Sequence, residues 1–164
     1  MKLILEHIWV AFILATIINA LIAKLRAKDM IKNDPSLESG YNKLFWGMII
    51  YTNIPWIIMG VGNLTGYTNY IFEYFHPRTL NLAVLAFHGS ILILWLLSIY
   101  WVYFNHGAEM IERHPGFFRI SGPTGSFDVT AKQVKLFLPL LLLGGVIVFA
   151  AMWLDAFPAL EMKF

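Results

Sequence analysis

The chain has no cysteine. Disulfides, thiolate-held metals, iron–sulfur clusters and cysteine nucleophiles are therefore excluded. Charge is scarce too. Only 13% of the 164 residues are Asp, Glu, Lys or Arg, and the formal net charge of +2 gives no reason to expect a nucleic-acid partner. No nucleophile stands beside a base, so hydrolase chemistry has no support. The stretch "SGPTGS" at 121–126 lacks the Lys-Ser/Thr ending of a phosphate loop. Strand-like alternation is missing from the apolar runs, which argues against a membrane barrel.

What the chain has is apolar length. It is 59% hydrophobic and 16% aromatic, with a mean hydropathy of +0.66. Soluble domains are about half apolar and about a quarter charged. The excess lies in four runs, Leu3–Leu25, Leu44–Leu64, Leu80–Phe104 and Leu136–Leu154. Each is close to the roughly 20 residues that a helix needs to cross a bilayer. These runs predict an all-α polytopic integral membrane protein, a bundle of four transmembrane helices forming one domain over 1–164. The first run is read as a retained helix, because "KLRAK" follows it and no small-residue cleavage site does.

Basic residues predict the orientation. The loop after the first helix, 26–43 with its flanking Lys24, holds Lys24, Arg26, Lys28, Lys32 and Lys43. The loop 105–135 holds Arg113, Arg119, Lys132 and Lys135. Nine of the twelve basic residues thus fall on one side, which is expected to be cytoplasmic. Both termini then face outward, and a bacterial cytoplasmic (inner) membrane is the expected location. The aromatic loop "GYTNYIFEYFHPRT" suits the opposite interface, where Tyr74 and its neighbours are expected to form a belt or a short flat helix. The Gly- and Pro-rich segment within 105–135 reads as an irregular loop, with Glu109 and Arg113 placed to form an i,i+4 ion pair.

Within the helices, Ala11, Ala15, Asn19, Ala23 and Ala27 recur every fourth residue of the first, a pattern for close helix packing with one amide able to bond across. Pro55 is expected to kink the second, near Asn53. The fourth, with Pro139 in its first turns and a Gly144–Gly145 contact point, reads as a structural wall. In the third, Asn81, His88, Trp95 and Val102 are spaced by seven, and His106 extends the line. That face should look inward.

Three roles compete for His88. It is a neutral histidine bonded inside the packing. Or it shares a haem b with His7 on the first helix, beside Trp95. Or, with Asn53, it holds a quinone or relays a proton. His88, His7, Asn81, Trp95 and Asn53 are the candidate cofactor-binding residues. The absence of a catalytic constellation favours a small accessory or structural subunit of a larger membrane complex, with the lipid bilayer and other membrane subunits, or further copies of itself, as partners. A redox subunit binding haem b or quinone near His88 is the alternative. A small transporter, resting on Pro55, is third.

Overall fold

The computed structural model describes residues 7–122 and 125–156. Its first helix, α1, runs Ile8–Asn33, about seven turns, and α2 runs Glu38–Leu64. A 3-10 turn at Pro35–Leu37 joins them, started by Asp34, whose carboxylate accepts from the Ser36 amide at 3.0 Å. Two more 3-10 turns, Ile71–Phe75 and Pro77–Thr79, lead to α3, Leu82–Phe104. The short α4, Gly107–Glu112, and a hairpin of β1, Arg119–Gly122, and β2, Gly125–Asp128, precede α5, Ala131–Trp153. The long helices α1, α2, α3 and α5 are each long and apolar enough to cross a membrane.

The ends of the helices differ from the apolar runs. Residues 3–6 of the first run lie outside the described residues. At its other end, α1 continues to Asn33, well past Leu25, because Lys, Arg and Ala are good helix formers once the chain has left an apolar phase. α5 begins at Ala131, five residues before Leu136. Thr130 makes a capping box there: its hydroxyl accepts from the Gln133 amide while Gln133 accepts from the Thr130 amide. The segment expected to be irregular contains the antiparallel β1–β2 hairpin, so the chain is mostly rather than wholly helical. It is also anchored. The Tyr41 hydroxyl donates to the Pro115 carbonyl at 2.7 Å, and the Gly116 amide donates to Asp128 at 2.7 Å.

The four long helices follow one another in a row. α1 packs on α2, α2 on α3 and α3 more lightly on α5, while α1 and α5 scarcely meet. The expected four long helices are present, arranged as an open row. Apolar helix faces gain little by covering one another in lipid, so an open row is compatible with helices long and apolar enough to cross a membrane. Two ends can be distinguished. The aromatic end carries residues 65–81, and the basic end carries 34–37 and 105–130. Two packing clusters match them. Ala20, Ala23, Ala27, Tyr41, Leu44, Phe45 and Phe117 fill the basic end, and Met59, Tyr74, Val84 and Phe87 fill the aromatic end. α2 stays helical through Pro55, which is buried, so the predicted weak point holds no unwound segment.

α5 is tethered at three heights. At the basic end Lys135 pairs with Glu109 at 2.6 Å, so the carboxylate expected to serve Arg113 is taken by another helix. The same hydrogen bond from Lys135 holds the Glu109 carboxyl below the usual carboxylate range. At the aromatic end Asp155 lies 3.5 Å from both His76 and Arg78. Midway, the Trp95 ring covers Gly145 so closely that a Cβ there would sit 2.7 Å from it, whereas Gly144 has open space around it. Gly145→Val should therefore cost about 1–2 kcal/mol by overpacking, while Gly144→Val, with the same change in helix propensity, should be close to neutral. Thermal unfolding of both variants in one detergent, followed by circular dichroism, checks this. Equal midpoints would contradict the close contact.

Candidate functional site

His88 is the best-enclosed ionisable side chain in the long helices, with 1% of its surface exposed. It lies on α3 less than two turns from the helix start at Leu82. Its Nε2 is 2.9 Å from the backbone carbonyl of Tyr74. A carbonyl can only accept, so Nε2 carries the proton and donates it. In the neutral tautomer that this bond selects, Nδ1 is a bare acceptor. That Nδ1 is buried and has no hydrogen-bond partner among the described residues.

The walls around the ring come from three elements. Phe87 stands beside it on α3, at 5.7 Å between centroids. α5 contributes Phe149 at 4.8 Å and Trp153, edge-on, at 5.9 Å. The Trp153 indole N–H is also buried, and it has no hydrogen-bond partner among the described residues. A bare acceptor and an idle donor thus belong to two rings in contact. A donor group satisfies Nδ1, and an acceptor satisfies the indole N–H.

Tyr74 closes the site from the loop. Its ring packs edge-on against Phe87 at 5.0 Å, and 1% of the residue is exposed. The expected belt role fails for this tyrosine because it turns inward over α2 and α3. Its hydroxyl reaches a small polar chain. Thr68 donates to Asn63 Oδ1 at 2.6 Å, which uses the only Thr68 proton. The Tyr74 proton is shared between Thr68 Oγ1 at 3.1 Å and the Met59 carbonyl at 3.2 Å. Burial pushes the Tyr74 hydroxyl above the usual phenol range, so it stays a donor.

Of the other candidate residues, Trp95 joins His88 at a shared wall, since its ring meets Phe149 at 5.7 Å. Asn81 caps α3: its side chain accepts from the Ala83 amide at 2.9 Å and donates to the Tyr67 carbonyl. It ties the loop down rather than facing the imidazole. Asn53 is buried on α2, where its amide donates to the Ile49 carbonyl of its own helix at 2.7 Å, and its Oδ1 has no partner among the described residues. His7 stands exposed at the start of α1. The described ring contacts of His88 go to α3 and α5, and none to α1. His106 leaves the inward line altogether. α3 ends at Phe104, and His106 is exposed with a left-handed φ of 53°.

The residues missed from sequence are Tyr74, Phe149 and Trp153. Gly145, Phe149 and Trp153 recur every fourth residue, so one face of α5 was marked as a contact face. Nothing in the sequence marks the Tyr74 carbonyl. No family model, curated protein or solved structure matches the chain.

Proposed function

We propose that this chain is a small integral membrane subunit of a larger membrane assembly. Its four long helices span the bilayer with the basic end in the cytoplasm, and both termini lie outside. The orientation is supported by the basic residues of 24–43 and 105–135, and a bacterial cytoplasmic membrane accommodates it. The observation that carries the proposal is the open row of helices. α5 has no buried residue, and α1 and α5 scarcely meet. Such a row offers long helix faces that a neighbouring subunit can cover. Extraction of the tagged chain from its native membranes in a mild detergent should yield a particle well above the 18.8 kDa of one chain, containing other membrane proteins. Recovery of the chain alone, both by mild extraction and after cross-linking in the intact membrane, would sink the proposal.

A second reading, binding of a quinol ring, is favoured by the two idle groups beside α5. A quinol hydroxyl donates to His88 Nδ1 while its oxygen accepts from the Trp153 N–H. A haem b on His88 has less support. An axial bond from Nε2 would displace the Tyr74 carbonyl. A small transporter draws less support from Pro55, since α2 is assigned as helix on both sides of it.

A further inference from the structure

We infer that two copies of this chain pair through the face of α1 that carries Asn19. The inference rests on the membrane-assembly reading and names one contact within it. Asn19 is exposed on α1 and is in no hydrogen bond among the described residues. It lies about 16 Å along the helix from Ile8 and about 9 Å before Leu25, the last residue of the apolar run. In a bilayer that depth is hydrocarbon. The side chain is too short to reach the headgroups, and lipid tails offer it no partner.

The occupant follows from the chemistry of the amide. A primary amide carries both donors and an acceptor. Two such groups related by a two-fold axis satisfy each other, N–H to C=O in both directions, and a two-fold is the commonest symmetry by which a chain meets its own copy. The backbones must approach closely for side chains this short to meet. Ala15 and Ala11, one and two turns away and both exposed, allow that.

The arrangement also explains the outcome for the fourfold spacing of small residues. Each step of four advances about 40° around the helix. Ala27 and Ala23, with Ala20, are buried against α2. By Ala15 and Ala11 the series has turned roughly 120–160° away, onto a face that no described element of this chain covers. One end of the series packs within the chain, and the other end, with Asn19, is left for a copy.

The absence of native cysteine makes the test clean. Ala15→Cys, oxidised mildly in native membranes, should give a covalent species at twice the chain mass of 18.8 kDa. Leu141→Cys on α5, 73% exposed, should not. Adding Asn19→Leu to Ala15→Cys should reduce the yield at least about fivefold, with Asn19→Gln restoring part of it, an interhelical amide bond being a main attraction at such a contact. Equal yields from Ala15→Cys and Leu141→Cys would overturn the pairing, as would a yield insensitive to Asn19→Leu. A cross-linked species of another mass would assign the face to a different protein, and that also overturns it. If Ala15→Cys fails while the chain still extracts with larger partners, the pairing falls and the subunit reading stands. If extraction yields only the covalent dimer, the larger assembly falls and the pairing stands.

Discussion

Gly62→Val is expected to destabilise the protein by about 3 kcal/mol, the upper range for overpacking with lost hydrogen bonds added. A Cβ at position 62 would fall inside contact distance of the Tyr74 hydroxyl, 2.8 Å from the Ala83 methyl and 3.2 Å from Thr68 Oγ1. The two hydroxyls can move, at the loss of the Tyr74–Thr68–Asn63 chain. The Ala83 methyl is fixed to α3 and cannot. α2 and α3 must therefore separate at the aromatic end, where Met59, Tyr74, Val84 and Phe87 pack. Gly89→Val is the control, because a Cβ at 89 meets nothing within 4 Å. Unfolding of both variants in the same detergent, read from helical circular dichroism, should separate them by about 3 kcal/mol. In a Gly62→Ala background, Tyr74→Phe should recover part of the loss, since it removes the nearest atom, and the two changes should not add. A Gly62→Val protein as stable as Gly89→Val would show that the loop is not seated against α2.

The four long helices were legible because hydropathy over about 20 residues is a property of a segment rather than of its neighbours. What hydropathy marks is the polar boundary. It read Leu25 and Leu136 as helix ends, while the helices themselves extend to Asn33 and start at Ala131. The hairpin escaped for a related reason. Strands of only four residues, Arg119–Gly122 and Gly125–Asp128, leave too short an alternation to stand out from a loop. At the site, the spacing of Asn81, His88, Trp95 and Val102 gave the direction of one face, and His88 and Val102 are buried as that direction requires. Direction does not give the neighbour. The helix that meets His88 is α5 and not α1, and its hydrogen bond goes to a loop carbonyl, a group every residue carries. The small-residue series on α1 was read as a single stripe, but a spacing of four winds around a helix of 3.6 residues per turn. Only its basic-end half meets α2.

His88→Ala should also cost about 3 kcal/mol, from the cavity among Phe87, Phe149 and Trp153 and from the buried Tyr74 carbonyl left unpaired. The replacements that separate these causes differ in which imidazole nitrogen they imitate. Gln places its amide nitrogen near the position of Nε2, so His88→Gln keeps a donor for the Tyr74 carbonyl and should lose only about 1 kcal/mol. Asn imitates Nδ1 and abandons that carbonyl, and Leu fills space without a donor. Both should fall between Gln and Ala. Stability in a single detergent gives this order, and a His88→Ala protein within about 0.5 kcal/mol of wild type would remove the carbonyl bond from the account. His88→Gln then separates structure from ligand chemistry. It retains the bond that holds the loop but offers no bare ring acceptor beside the Trp153 N–H. If a quinol is held there, its binding, read as quenching of tryptophan emission in wild type, should be lost in His88→Gln while the fold survives. Unchanged quenching in that variant would leave His88 as the residue that fastens the 65–81 loop to α3, and nothing more.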